Sequence, residues 1–183
     1  VLKLKMTGDD KDLERVALIH GNAPNAMLVV DANEGWTIAQ YQEYAPKFGE
    51  LGVAMIEQPL PAGEDEGLKG LDRVVPVCAD ESCHDSKTLH SLVGKYDMIN
   101  IKLDKTGGLT EALVLRDKAM TMGFDVMVGC MVGTSLAMAP GVLVAQGCSV
   151  VDLDGPLLLA KDREPGLVCQ GSVIKPPELN VWG

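Results

Sequence analysis

The chain has 183 residues, 46% of them hydrophobic, which is enough to bury one sizeable core. Its 26 acidic and 16 basic residues give a net charge of −10. This charge argues against nucleic acid and anionic membrane surfaces as partners. The five cysteines are odd in number and form no CxxC pair. We therefore expect reduced, mostly buried thiols in a cytoplasmic protein.

Two stretches bear on targeting and membranes. The segment 126–151 has no charged residue and is long enough to cross a bilayer. It contains four glycines and Pro140, however, and it divides into a strand, a loop, a helix and a second strand. We therefore expect no membrane span. No secretory or transit segment is visible at the start, where the chain runs directly into a strand-like segment, as a shortened protein would.

Strand-like runs recur about every 25 residues and alternate with helix-compatible segments, which predicts a parallel sheet. The strand-like runs begin near Val1, Met27, Val53, Val75, Met98, Asp125 and Ser149. The helix-compatible segments are 9–19, 37–51, 86–93, 110–122 and 135–146.

Polar residues end nearly every predicted strand, which favours a (β/α) barrel over an open sheet. A full barrel needs about 250 residues and eight strands. We therefore predict an α/β fold that is a partial TIM-barrel-like barrel of seven parallel strands. Residues 1–156 form the barrel portion, and residues 157–183 form a loop-rich tail rich in proline.

Three neighbouring predicted strands each end on one acid. These acids are Asp31, Glu57 and Asp80. Carboxylate oxygens suit Mg²⁺, or Mn²⁺ as an alternative, better than zinc. None of the three histidines lies at a comparable position. A single acid at a strand end is more often a helix cap or a surface residue, but three at equivalent places in one repeat predict a metal site.

Lysines and further acids complete the pattern. Lys3 and Lys5 point to one face of the first strand, where they are costly unless acids lie opposite. Lys102 interrupts the fifth apolar run, and Asp152 and Asp154 follow the seventh. A metal flanked by lysines fits removal of a proton α to a carboxylate through an enediolate, with a lysine as base. Two alternatives stay open: Lys3 as an edge lysine, and the two aspartates as ordinary turn residues.

These residues stand in motifs that resemble the enolase superfamily, in its muconate-lactonizing branch, and within that branch the dipeptide epimerases. A lysine base paired with Mg²⁺ is a general property of that superfamily. The matching motifs are KLK (3–5), VVDANEGW (29–36), MIEQPLP (55–61), CADES (78–82), NIKLDKTGG (100–108), GCM (129–131) and DLDGP (152–156).

The resemblance implies a role for each residue. Asp31, Glu57 and Asp80 would bind Mg²⁺, and Lys5 and Lys102 would be the two acid/base catalysts. The substrate-binding residues would be Lys3 for the substrate carboxylate, Asp152 and Asp154 for the α-ammonium group of a dipeptide, and Cys130 through its backbone. Cys130 is otherwise a small packed residue, because no histidine base lies near it in the sequence.

The expected reaction is Mg²⁺-dependent epimerisation of Ala-Glu-type dipeptides. Two further enzymes of the superfamily are alternatives: o-succinylbenzoate synthase and N-acylamino acid racemase. Asp152 and Asp154 argue against both, because an acylated amine carries no positive charge. A third alternative is a non-catalytic barrel fragment, because the family's N-terminal capping domain and the barrel strand before KLK are absent from this sequence. An open sheet edge would then favour a homo-oligomer.

Overall fold

Strands and helices alternate along the chain. The computed structural model describes residues 1–182. The strands and helices of the alternating part are β1 (Leu2–Lys5), α1 (Asp12–Asn22), β2 (Leu28–Asp31), α2 (Ile38–Glu50), β3 (Val53–Glu57), β4 (Val77–Ala79), α3 (Leu89–Leu92), β5 (Met98–Ile101), α4 (Leu103–Thr106), α5 (Leu109–Thr121), β6 (Asp125–Val128), α6 (Ser135–Val144) and β7 (Val150–Val151). Each of the seven predicted strands has a counterpart in the structure.

The chain divides into two compact units. The first consists of Val1–Cys83 and His90–Met98, and it holds β1 to β4 as successive parallel neighbours. The second consists of His84–Leu89 and the chain from Ile99 onward, and in it β6 and β7 pair in parallel. The predicted α/β fold, with seven parallel strands that alternate with helices as in part of a (β/α) barrel, is confirmed.

After β7 the chain forms two short elements. One is a 3-10 turn at Gly155–Leu158, and the other is an antiparallel hairpin of β8 (Cys169–Gln170) and β9 (Val173–Ile174). The division into a barrel portion 1–156 and a tail 157–183 stays a prediction. Between residues 1 and 182, none of the helices is both long enough and apolar enough to cross a bilayer.

The core of the first unit explains why β2 carries no charge before its last residue. Every residue of β2 is buried, as a strand covered on both faces requires. Trp36 packs edge-on against Tyr44 and tilted against Phe48, with ring centroids 5.5 and 5.8 Å apart. Thr37 and Gln40 form a capping box that starts α2 directly after Trp36. The loop that follows Asp31 is therefore fixed at its start by buried β2 and at its end by Trp36 and the capping box.

A buried acid that the sequence pattern did not single out holds the loop after β1. Asp12 is fully buried, and its carboxylate accepts hydrogen bonds from the backbone N–H groups of Thr7 (3.0 Å) and Gly8 (2.9 Å). It also accepts from the Trp36 indole at 2.9 Å and from Arg15 at 2.6 Å. Asp12 thereby joins the loop after β1 to the loop after β2.

The substitution Asp12→Asn tests this joint. An amide places N–H donors where the carboxylate accepts, so at least one buried donor loses its partner. We expect the free energy of unfolding to fall by about 1–3 kcal/mol in urea denaturation. The exposed neighbour Asp10, changed to Asn, is the control and should leave stability unchanged. Equal stability of the Asp12→Asn and wild-type proteins would show that the joint contributes nothing.

Candidate active site

The three strand-end acids are brought together in the first unit. Asp31 ends β2 and Glu57 ends β3, and the two residues are direct partners in the parallel register. Glu57 in turn pairs with Cys78, two residues before Asp80. The exposed fractions of Asp31, Glu57 and Asp80 are 0%, 0% and 1%. Buried carboxylates are costly unless positive charge or hydrogen bonds compensate them. The burial of three at one end of the sheet therefore indicates a functional site.

The lysines of β1 provide part of that compensation. Lys5 pairs with Asp31 in the register, and its Nζ lies 2.5 Å from Asp31 Oδ2. Lys3 Nζ lies 2.8 Å from Glu57 Oε2 and 3.2 Å from Asp31 Oδ2. One ammonium group therefore contacts two of the three acids. The expectation that Lys3 and Lys5 need acids opposite is met.

The two lysines differ in exposure. The side chain of Lys3 is 17% exposed and that of Lys5 is 60% exposed. The Lys5 side chain is therefore the more solvent-exposed of the two.

The electrostatics of the acids favour a cation. The pKa of Glu57 is raised to about 7, chiefly by burial and further by the charges of Asp31 and Asp80, while Lys3 lowers it. Among residues 1–182, no three His, Cys, Asp or Glu side chains are already arranged as a metal-ligand group. The donor set nevertheless fits a hard divalent cation, because it consists of three buried carboxylates, and the charges of two of them raise the pKa of Glu57.

Asn33 is a site residue that the sequence reasoning missed. Its Oδ1 accepts a hydrogen bond from Lys5 Nζ at 2.9 Å, and its backbone N–H donates to Asp31 Oδ1 at 3.0 Å. Its Nδ2 donates to Glu81 Oε1 at 3.4 Å. Asn33 has a φ of 43°, a left-handed conformation that asparagine tolerates better than most residues. Its position in the sequence, two residues after the strand-end acid Asp31, is the feature that could have identified it as a site residue.

The remaining site candidates lie in the second unit. Lys102 directly precedes α4, Cys130 follows β6, and Asp152 continues the pairing of β7 by donating its N–H to Val128 O at 2.9 Å. Burial raises the pKa of the Cys130 thiol, as do the charges of Asp152 and Asp154, while Lys102 opposes them. Asp152, Asp154 and Lys102 are therefore close enough to Cys130 for their charges to affect the thiol. A raised thiol pKa supports a packed Cys130 and not a nucleophile.

Backbone packing fixes the loop that carries Cys130. A Cβ on Gly155 would lie 2.9 Å from Met131 O and 3.3 Å from Cys130 Sγ, so only glycine fits beside this loop. Asp152 is half-buried and Asp154 is exposed. The two aspartates both precede this glycine, and their charges act on the Cys130 thiol.

The chain belongs to the enolase C-terminal domain-like family, whose sequence profile matches residues 1–167. Over all 183 residues it is 48% identical to the N-acetyl-D-glutamate racemase of Pseudoalteromonas sp. Over 154 residues, 84% of the chain, it is 49% identical to the L-Ala-D/L-Glu epimerase of Escherichia coli K12. The aligned regions are 58% and 48% of these relatives, so the chain spans about half the length of the curated relatives it matches.

Solved structures show the same fold. An enolase family member from Agrobacterium tumefaciens with homology to dipeptide epimerases, with sodium and L-Ala-L-Glu bound, matches with a TM-score of 0.95 and 53% identity. This match covers 99% of the present chain and 56% of that protein. The dipeptide epimerase of Methylococcus capsulatus, complexed with Mg and L-Arg-D-Lys, matches with a TM-score of 0.90 and 31% identity. That match covers 97% of the chain and 53% of the epimerase.

The raised pKa of Glu57 predicts how stability depends on pH in the presence of a chelator. The folded-state pKa, about 7, lies above the ordinary value of 4.5, so between these pH values only the folded state keeps the proton. The contribution of Glu57 to the free energy of unfolding therefore falls as pH rises through this window, by on the order of 3 kcal/mol.

Glu57→Gln removes this titration. The unfolding free energy of the variant minus that of the wild type should accordingly grow from pH 4.5 to pH 7. Urea denaturation in EDTA across this range measures the difference. Parallel pH profiles of the two proteins would contradict the raised pKa.

Proposed function

We propose that this chain carries the catalytic residues of a Mg²⁺-dependent dipeptide epimerase that acts on Ala-Glu-type substrates. The observation that carries the proposal is the burial of Asp31, Glu57 and Asp80 together, with Lys3 and Lys5 in contact with the first two. Support comes from the match to the family and from relatives of this chain named as dipeptide epimerases.

In this proposal Asp31, Glu57 and Asp80 hold the cation. Three buried carboxylates provide hard oxygen ligands, which suit Mg²⁺, with Mn²⁺ as an alternative. When bound, the cation supplies positive charge that stabilises a substrate carboxylate as its α-proton leaves. Lys3, which already contacts Asp31 and Glu57, holds the same substrate carboxylate by charge-assisted hydrogen bonds.

Lys5 and Lys102 are the acid/base pair. One lysine removes the α-proton of the second residue of the dipeptide, and the other returns a proton to the opposite face, which inverts the centre. Asp31 and Asn33 hold the Lys5 ammonium and restrict where its proton can be delivered. Because each lysine serves one face, epimerisation requires both.

Asp152 and Asp154 bind the free α-ammonium group of the dipeptide, and Cys130 lines the pocket through its backbone. Two neighbouring carboxylates attract a positively charged group, whereas an uncharged amide gains no such electrostatic attraction. Asp154 is exposed and Asp152 is half-buried, so the pair lies at the protein surface.

A second candidate function is racemisation of N-acylated glutamate. The relative from Pseudoalteromonas favours it, because the 48% identity to that racemase extends over the whole chain. The same acids, lysines and cation would serve this reaction, but an N-acetyl group offers no positive charge to Asp152 and Asp154. These two aspartates therefore discriminate between the candidates.

Charge and cysteine content bear on the ligand and the cellular location of the protein. The net charge of −10 disfavours nucleic acid and anionic membranes as partners, so a small dipeptide is the proposed ligand. Reduced cysteines are consistent with a cytoplasmic location.

The charge on Asp154 provides the test between the two substrates. In the active protein Asp154→Asn should lower kcat/KM for L-Ala-L-Glu by about tenfold or more, because about 1.4 kcal/mol of ammonium binding is lost. Racemisation of N-acetyl-D-glutamate should stay unchanged or rise. The exposed Asp117→Asn, on α5, is the control, which should change neither activity. Equal losses on both substrates would assign a structural role to Asp154.

Lysine substitutions test the two-base mechanism. Lys5→Ala and Lys102→Ala should each lower the epimerisation rate by roughly 10²-fold to 10⁴-fold, because one face of the substrate loses its proton carrier. Proton NMR in D₂O measures solvent exchange at the α-carbon separately for each epimer. At least one variant should keep α-proton exchange for a single epimer. Full epimerase activity in either variant would refute the mechanism.

A further inference from the structure

Gln58, the residue directly after Glu57, lies where three strand ends meet. Its side chain is fully buried, and its backbone is left-handed with a φ of 34°. Its N–H donates to Cys78 O at 2.8 Å, and its carbonyl accepts from Glu34 N at 2.9 Å. A non-glycine residue in this conformation persists only where the surroundings determine it. Here the backbone alone connects the end of β3 to the end of β4 and to the loop after β2.

The Gln58 side chain adds a second connection at the acid that follows β4. Its Oε1 accepts hydrogen bonds from the backbone N–H groups of Asp80 (2.8 Å) and Ser82 (3.1 Å). These two bonds saturate the acceptor capacity of the amide oxygen. The amide therefore sets the backbone at Asp80, while the backbone of the same residue continues from Glu57.

The other end of the amide is fixed as well. Nε2 lies within hydrogen-bond distance of three acceptors, which share its two N–H groups: Leu60 O at 2.8 Å, Ser82 Oγ at 2.9 Å and the Tyr96 hydroxyl at 3.0 Å. Every partner of this nitrogen is an acceptor and every partner of Oε1 is a donor, so only one orientation of the amide satisfies all of them.

A buried carboxylate orients those acceptors. Asp65 Oδ2 accepts from Ser82 Oγ and from the Tyr96 hydroxyl, each at 2.7 Å, and Lys95 Nζ lies 2.7 Å from Asp65 Oδ1. Because both hydroxyls donate to Asp65, their lone pairs remain for Gln58. Asp65 is 2% exposed, so this arrangement is shielded from water. The chain of contacts runs from Lys95 to the backbone of Asp80.

We infer that Gln58 is a positioning residue that sets the separation and orientation of Glu57 and Asp80 for cation binding. The inference rests on the proposed function, since it concerns the same cation site. Gln58 acts through the backbone of the two acids and does not itself bind the cation. A carboxylate pair that is free to move apart must be ordered when the cation binds, which weakens binding.

The test uses the full 183-residue chain and Mg²⁺ as the probe. Gln58→Met keeps the length of the side chain and removes the acceptor for Asp80 N and Ser82 N. Isothermal titration calorimetry should show the Mg²⁺ Kd rising by on the order of 10-fold to 100-fold. In the active protein the Mg²⁺ concentration for half-maximal activity should rise in parallel. The kcat at saturating Mg²⁺ should return to within about threefold of the wild-type value, because excess cation restores the site.

Gln40→Met is the matched control. Gln40 undergoes the same chemical change in the same unit, and it hydrogen-bonds Thr37 and Gly8 and not the acids. Its Mg²⁺ Kd should stay at the wild-type value even where its stability to urea falls as much as that of Gln58→Met. If both variants lose affinity equally, or Gln58→Met keeps the wild-type Kd, Gln58 has no positioning role.

Gln58→Asn covers the case in which Gln58→Met does not fold. It keeps an amide in the same place but is one methylene shorter, so its oxygen is withdrawn from Asp80 N and Ser82 N. A rise in the Mg²⁺ Kd is expected, and an unchanged Kd would overturn the inference. Failure of the proposed function is distinguishable, because the wild-type chain itself would then show no Mg²⁺ binding. Wild-type binding together with a wild-type Kd in Gln58→Met overturns only the role of Gln58.

Discussion

The burial of three like charges at adjacent strand ends is the constraint on which the rest of the site depends. Asp31, Glu57 and Asp80 are removed from water, and the charges of Asp31 and Asp80 raise the pKa of Glu57. A protein core tolerates such a group only when positive charge stands against it. Lys3 and Lys5 supply that charge from β1, the strand beside β2. Contact with lysine and the proposed affinity for a divalent cation thus have one physical origin.

The same constraint explains why the surrounding loops are so firmly hydrogen-bonded. The acids can act together on one ligand only if the backbone beneath them keeps their carboxylates at a fixed separation. Asp12 joins the loops after β1 and β2, and Gln58 joins the ends of β3 and β4. Both are buried polar groups with several partners, which are costly to leave unsatisfied and therefore specify one arrangement. The framework beneath the acids consists of hydrogen-bonded loops as much as of sheet.

Much of this architecture could be predicted from sequence, because periodic burial leaves a direct trace in the residue order. Each apolar run that is followed by an acid or by Lys102 forms a strand in the structure, and the charged residue lies at the end of that strand. Thr37, expected as a helix cap, is the N-cap of α2. Helix limits were less predictable: the expected segment 86–93 contracts to Leu89–Leu92, and a short α4 follows Lys102. Short helices depend on tertiary contacts more than on local propensity.

The roles of Asp12, Asn33 and Gln58 could not be predicted in the same way. The bond from Trp36 to Asp12 and the bond from Asp80 to Gln58 each join residues more than 20 positions apart. No local periodicity encodes such pairs, and a polar residue beside a motif is usually a surface residue. The catalytic roles of Lys5, Lys102, Asp152 and Asp154 remain predictions, since they concern a substrate as well as the chain.

The central claim is that these residues move the α-proton of a dipeptide. The most direct measurement is proton NMR of L-Ala-L-Glu in D₂O with the protein and Mg²⁺. The account predicts that the glutamate α-proton signal disappears, that L-Ala-D-Glu accumulates, and that EDTA abolishes both changes. An unchanged α-proton signal, from a protein shown by calorimetry to bind both Mg²⁺ and the dipeptide, would contradict the account.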